Sequence, residues 1–386
     1  MDRRSLLKYA SLSGIASLVT ACLSQNAPTT STATTSPGVG QPTATFQQQP
    51  TITWKAQTGF GARDFLHIVG VDWGKRVEEL SGGRIKVDTQ PGGAIVGIFD
   101  MIDGVSSGTL DVGHAVPVYW FGKNRAMSLF GTGPSLGMDA DEVLGWVHYG
   151  GGQALYEELV QQTLRLNVQP FFWGPMPTQP LGWFKEEIKS PDQFKGMKFR
   201  TVGMAIDVYT GLGAQVIALP GPEVVPALER GAIDAAEFNN PTSDKASGIH
   251  DVRKICMTGS YHQAAESLET DINKAKWEAL PADLKAIVRE ATKAASAVFH
   301  WSAMKQHADD YADLQTKGVK FIKTPKVVLD AQLAIWDSII AKDTASNPFF
   351  KKVLDSQKQW AQRVVPWREA LTLPRPDLNA YRHYFK

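Results

Sequence analysis

Met101-Ile102-Asp103-Gly104-Val105-Ser106-Ser107-Gly108-Thr109-Leu110-Asp111-Val112-Gly113 reads as a helix, a glycine stop and a short strand. Val224-Val225-Pro226-Ala227-Leu228-Glu229-Arg230-Gly231-Ala232-Ile233-Asp234-Ala235-Ala236 follows the same plan, and the pattern Gly-x-[Leu/Ile]-Asp opens at both Gly108 and Gly231. Two copies of one αβ unit suggest two similar lobes, although such units are common enough to recur by coincidence. The repeat makes His114 and Glu237 equivalent, each just past a short strand. Ligands of open α/β sheets collect at the carboxyl ends of strands, so a cleft between two lobes would have both residues at its mouth.

Working outward, Thr51 to Gln57 alternates like a strand, and residues 64–80 carry Phe65, Ile68, Val69, Trp73, Val77 and Leu80 at helical spacing. Ser81-Gly82-Gly83 ends that helix, and Arg84 to Asp88 is a second strand. Strand–helix–strand order predicts a parallel sheet and an α/β fold. Gly150-Gly151-Gly152 lacks the Lys-Ser/Thr of a phosphate loop and reads as a helix join. After residue 264 the pattern is helical: Asp271 to Glu278, a long helix opened by Pro281 and reaching about Thr316, then Val327 to Lys342 and Pro348 to Arg363. Trp301, Trp336 and Trp360 read as packing residues, and Asp309, Asp310 and Asp313 as a solvated helix face. The expected organisation is one lobe from 51–175 plus about 265–300, a second from 176–264, and a long helix with a C-terminal helical segment over 281–386.

Met1 to Ala21 has a basic start followed by an apolar run too short to span a bilayer, which is the form of an export signal. Arg3-Arg4-Ser5-Leu6-Leu7-Lys8 resembles a twin-arginine signal, and Val19-Thr20-Ala21-Cys22 resembles a lipobox that would leave Cys22 lipidated. The alternative is a plain secretory signal with an incidental cysteine. Residues 22–50 are Ser, Thr, Pro, Gln and Gly without charge, a spacer that cannot bury enough apolar surface to order itself. These features predict a periplasmic protein tethered at its N-terminus. A formal charge of +1 on 386 residues gives no basic footprint for nucleic acid. Past Cys22 the remaining cysteine, Cys256, reads as a small buried hydrophobe.

Most enzyme motifs are missing: the chain has no H-E-x-x-H, Walker loop or C-x-x-C, and its histidines lack ligand spacing. Ser190 to Arg200 is a short helical turn feeding a strand, with Thr201-Val202-Gly203 opening the next turn. Arg200 therefore stands at a strand end on the cleft edge, where its planar fork suits a carboxylate.

Asp192 with Gly196-Met197-Lys198-Phe199-Arg200, Pro222-Glu223 with Ala227 to Glu237, and Pro91-Gly92-Gly93-Ala94-Ile95-Val96 resemble the solute-receptor subunit of TRAP (tripartite ATP-independent periplasmic) transporters, over roughly residues 51–370. The resemblance implies a periplasmic-binding-protein fold with two α/β lobes around a cleft. It is strongest to the α-keto-acid-binding branch. There it implies that Gln179 touches both ligand and cation, that Arg200 clamps the carboxylate, and that Tyr119 and Trp120 form a wall. The cation would be held by Glu237, by the main-chain carbonyl of Phe238 and by Gln263. Phe238 departs from the family's tryptophan, a change that a main-chain role survives. A 2-oxo acid offers a carboxylate oxygen and a keto oxygen that a hard cation can chelate. One carboxylate donor favours Na⁺, with Ca²⁺ the alternative. A single arginine with Tyr119, Phe172, Trp173 and Trp183 as walls favours a monocarboxylate such as pyruvate. The expected protein is a receptor and not an enzyme. It closes by a hinge on a 2-oxo monocarboxylate and delivers it to a membrane permease; a homodimer through a swapped terminal helix is a further expectation. The alternatives are a receptor of the same fold for lactate with calcium or for an amino acid such as glutamate, and an exported lyase or hydrolase.

Overall fold

The computed structural model describes residues 51–371 and 379–384. The export signal with Arg3 and Arg4, the lipobox cysteine Cys22 and the spacer 22–50 lie outside the described residues.

The strands are β1 (Ile52–Thr58), β2 (Ile85–Gln90), β3 (Val112–Ala115), β4 (Val168–Met176), β5 (Gly182–Phe184), β6 (Lys198–Arg200), β7 (Gln215–Ile217), β8 (Ala235–Ala236), β9 (Ile255–Thr258), β10 (Glu266–Asn273) and β11 (Lys320–Lys323). They form two sheets, ordered β2-β1-β3-β10-β4 and β11-β9-β5-β8-β6-β7. Read from the far edge, the second sheet is β7-β6-β8-β5-β9 with β11 added, so its first five strands repeat the layout of the first sheet. In each sheet one strand runs against the rest. It is β10 in the first, antiparallel to β3 and β4, and β5 in the second, antiparallel to β8 and β9. Each of these strands has just arrived from the other sheet, β5 after β4 and β10 after β9.

The sequence repeat has a structural meaning in this frame. The Asp111 carboxylate accepts from the Lys55 amide at 2.9 Å, and the Asp111 amide donates back to the Lys55 carbonyl at 2.8 Å. Asp234 treats Lys198 in the same way, at 2.9 Å and 2.7 Å. Each aspartate thus locks the start of a short strand to its parallel neighbour, β3 to β1 and β8 to β6. The equivalence does not extend to His114 and Glu237 as ligand groups. His114 is a buried member of β3 whose ring is bonded to the Thr270 hydroxyl at 2.8 Å. Glu237 lies past β8.

The helix Phe65–Leu80 begins where Asp64 accepts from the Leu66 amide at 2.9 Å, and it buries Leu66, Val69, Trp73 and Val77 against the first sheet. Ile68 and Leu80, equally apolar, are about half exposed. Gly70 and Gly74 allow the close approach: a Cβ would stand 2.9 Å from Thr58 Cγ2 and 3.0 Å from Val87 Cβ, respectively. The long helix Ala282–Thr316 starts after Pro281 as expected and packs Val288, Ala291 and Phe299 into the same core. Cys256 is buried in the second lobe with Trp183, Leu228 and Leu314.

Four readings are corrected. Asp271–Asn273 is the end of β10 and not helix, and the helix there is only Lys274–Glu278. Lys320–Lys323, between two helices, adds an edge strand to the second sheet. Trp301 is largely exposed, whereas Trp336 is buried and donates to the Tyr261 carbonyl at 2.6 Å. Asp310 is no solvated residue: it is buried and, with Asp313, holds Lys245 at 2.7 Å and 2.6 Å, tying the long helix to the helix Pro241–Ser247.

Candidate functional site

Two segments connect the sheets side by side, residues 177–181 and 259–265. The Gln179 amide donates to the Gln263 carbonyl at 3.2 Å, and the Thr178 hydroxyl donates to the Ala264 carbonyl at 2.8 Å. Between the sheets and against these crossings lies a small cavity of about 20 Å³, room for roughly one water-sized particle. Phe60, Val116 and Tyr119 line it from the first lobe, and Arg200, Glu237 and Phe238 from the second. Gln179, Gln263 and Glu266 line it from the crossings and the strand that follows. A second cavity of about 410 Å³ shares Phe60 and Phe238 with the first and continues toward Arg63, Asp64 and Pro222.

Arg200 ends β6, and its guanidinium is fully committed to the second lobe on one side. Nε donates to the Leu219 carbonyl at 2.9 Å, and Nη1 donates to the Glu237 carboxylate at 2.9 Å and to the Glu237 carbonyl at 3.1 Å. None of these bonds uses Nη2. The Phe238 ring lies 6.0 Å from the guanidinium carbon. The pair is almost wholly buried, with side chains 2% and 1% exposed, so neither charge is solvated and each depends on the other. Burial pushes the Glu237 carboxyl above its usual range, and the Arg200 charge opposes that shift.

Two buried oxygens on the lining residues, Gln179 Oε1 and Glu266 Oε1, have no hydrogen-bond partner. Unmet acceptors of this kind are costly unless something positive reaches them, and they fit a hard cation held by oxygen. The Gln263 amide donates to Glu266 Oε2, and its oxygen accepts from the Thr132 hydroxyl at 3.2 Å. Burial and the nearby Glu237 charge push the Glu266 carboxyl well above its usual range. No three His, Cys, Asp or Glu side chains cluster as a metal site among the described residues, so a cation here would draw on amide and main-chain oxygens as well.

The structure therefore gathers Tyr119, Gln179, Arg200, Glu237, Phe238 and Gln263 at one cavity. It does not bring Trp120 there: this residue is buried in the first lobe, where its indole donates to Glu269. Phe172 packs on Phe130 and Tyr156, Trp173 donates to Thr270 at 2.8 Å, and Trp183 donates to Asp244 at 2.7 Å. The walls are instead Phe60, Val116, Val118, Tyr119, Val202 and Phe238. Sequence reading missed Glu266 because an acidic residue ahead of Glu269 and Asp271 looks like a wet helix face. The signal was the apolar pair Leu268 and Ile272 within a short stretch that closes on Asn273.

The family profile described as bacterial extracellular solute-binding protein, family 7 (DctP), matches residues 59–344. The chain belongs to this family. Family 7 proteins are the solute receptors of TRAP transporters, so this receptor is a binding protein and not an enzyme, and it works outside the cytoplasm. A monocarboxylate 2-oxoacid-binding periplasmic protein of Nostoc sp. is 28% identical to the receptor over 95% of this chain and 96% of its own. A TRAP receptor of Pseudoalteromonas atlantica, solved with bound sodium and pyruvate, superposes with a TM-score of 0.78 at 29% identity, over 87% of this chain and 100% of its own. One from Bordetella bronchiseptica, a mixed-occupancy dimer with copurified calcium and picolinate, gives 0.81 at 28% identity, over 87% and 98%. No helix among the described residues of the receptor is long and apolar enough to cross a membrane.

Proposed function

We propose that this receptor captures a 2-oxo monocarboxylate of the pyruvate class together with a cation and passes it to its membrane permease. The observation that carries the reading is the buried Arg200–Glu237 pair lining the same pocket as two partnerless oxygens, Gln179 Oε1 and Glu266 Oε1. Arg200 supplies the fixed positive fork for the carboxylate, with Nη2 still uncommitted. Gln179, Glu237, Gln263 and the main chain of Phe238 hold the cation, and Tyr119 closes the wall. The bound cation supplies the positive charge that the keto and carboxylate oxygens need. Na⁺ and Ca²⁺ are both hard enough for such a site, and solved relatives carry one or the other. Among the described residues, Arg200 is the one basic side chain lining the cavity, so a second carboxylate would find no second charge there. The 2-oxoacid-binding relative and the pyruvate-bound neighbour support the same ligand class. Export through Met1–Ala21 by the twin-arginine route, a lipid on Cys22 and a homodimer complete the proposal.

Isothermal titration with pyruvate tests it. Wild type binds, and Arg200→Ala weakens binding by about a hundredfold, because it removes the fork and strands Glu237 as an unpaired buried charge. Unchanged affinity in the variant would sink the assignment. So would a wild type that ignores 2-oxo acids and takes lactate or glutamate instead.

A further inference from the structure

We infer that Glu266 is a second anionic donor of the cation site, and that it makes the site select a divalent hard cation of the calcium class over Na⁺. The inference rests on the binding function proposed above and goes further by naming the residue that sets cation charge.

Position supports it first. Glu266 opens β10, which runs against β3 and β4, so it stands at the sheet end where β4 finishes at Met176. That end also receives the two crossings with Gln179 and Gln263. The side chain is 2% exposed and lines the same cavity as Glu237. One carboxylate oxygen is fixed by the Gln263 amide, and the other, Oε1, has no partner. The backbone leaves space for it: a Cβ on Gly131 would fall 2.7 Å from Oε1 and 2.8 Å from Val118 Cγ1. A buried carboxylate with one oriented oxygen and one open oxygen is built to receive a positive group.

Charge balance then chooses the ion. Glu237, Glu266 and a ligand carboxylate against the single Arg200 leave two negative charges among side chains that are almost wholly buried. A divalent ion neutralises them, whereas a monovalent ion leaves one uncompensated. Ligand number agrees, since calcium accepts six to eight oxygens in irregular geometry, and ligand charge tunes its affinity. Counting Glu237 alone favours Na⁺; counting Glu266 as well reverses that preference.

The rival reading is a neutral carboxyl that serves only to hold Gln263. Glu266→Gln separates the two, because glutamine copies the shape of a neutral carboxyl and removes only the charge. Chelator-stripped wild type and variant are titrated calorimetrically with CaCl₂ alone, then with pyruvate in Na⁺ or in Ca²⁺ buffer. The expected wild type binds Ca²⁺ and takes pyruvate more tightly with Ca²⁺ than with Na⁺. The expected variant binds Ca²⁺ at least about tenfold more weakly and loses the Ca²⁺-over-Na⁺ preference for pyruvate. A variant that keeps the wild-type ratio overturns the inference. If the variant fails to fold, a wild type that binds pyruvate equally in the two buffers overturns it instead. The CaCl₂ titration involves no organic ligand, so Glu266-dependent calcium binding without any 2-oxo acid binding would refute the proposed ligand and leave this inference standing.

Discussion

Phe238 holds its place over Arg200 because residue 221 has no side chain. A Cβ on Gly221 would sit 2.7 Å from Phe238 Cε2 and 3.0 Å from Cζ. The ring is rigid, so it could not bend aside and would have to leave its position over the guanidinium, 6.0 Å from the guanidinium carbon. Gly221→Ala should cost about 1–3 kcal/mol in urea unfolding and weaken pyruvate binding. The added substitution Phe238→Leu should restore stability; a double variant no more stable than the single one would show that the clash lies elsewhere. At this scale the sequence was legible where a residue's chemistry is unusual for its setting. An arginine at a strand end and a glutamate after Ala235-Ala236 stand out among apolar neighbours. Trp120 and Trp183 did not declare themselves, since an indole serves a core and a ligand wall equally well. Each turned out to donate to a buried carboxylate.

Helices were easier to read than strands. Pro281 and the apolar spacing after it set the start of the long helix, whereas β10 was hidden because it is buried along its whole length and yet carries Glu266, Glu269 and Asp271. Of those acids, Glu269 survives inside by accepting from the Tyr156 hydroxyl at 2.6 Å and from Trp120, both distant in sequence. Such pairings are long-range, and periodicity cannot show them. Another long-range bond joins the lobes. Ser243, in the helix Pro241–Ser247, donates to Asp64, the cap of the helix Phe65–Leu80, at 2.7 Å. As a bond between lobes, it forms fully only when they are together. Ser243→Ala should favour the open form and weaken pyruvate binding by about fivefold, the equivalent of about 1 kcal/mol. Calorimetry with small-angle scattering checks this, and equal affinity with equal radius of gyration would exclude a role in closure.

Across the whole molecule, burial suppresses charge on both kinds of group. His114 and His262 are pushed down to about 3, and His307 to about 4, by desolvation first. Asp244 is pushed up to about 7 by burial, despite bonds from Trp183 and the Asn239 amide. The signs oppose. The histidines take protons in the unfolded chain but not in the folded one, so their contribution falls as pH drops below about 6.5. Asp244 keeps a proton that the unfolded chain has lost, so its contribution is complete below about 4 and is lost as pH rises to about 7. Asp244→Asn cannot lose that proton. Its stability relative to wild type should therefore rise between pH 4 and 7, by at most about 1.4 kcal/mol per pH unit, in urea titrations at stepped pH. A flat difference would mean that Asp244 is ionised when folded. At this scale the two-lobed plan was legible from one short repeat, because Asp111 and Asp234 do the same local work in each sheet. The exchanged strands β5 and β10 were not, since nothing local marks a strand that belongs to the other half.

That exchange also governs how the site is to be dissected. Gln179 and Gln263 sit on the only pair of neighbouring segments among the described residues where strand leads directly to strand across the two sheets. They are joined there main chain to main chain at 3.2 Å. Their side chains line the pocket while their backbones form the two crossings between the sheets. A substitution at either position touches a donor and a crossing together. Arg200 and Glu237, which lie off the crossings, are the positions at which recognition is separable from the connection between the sheets.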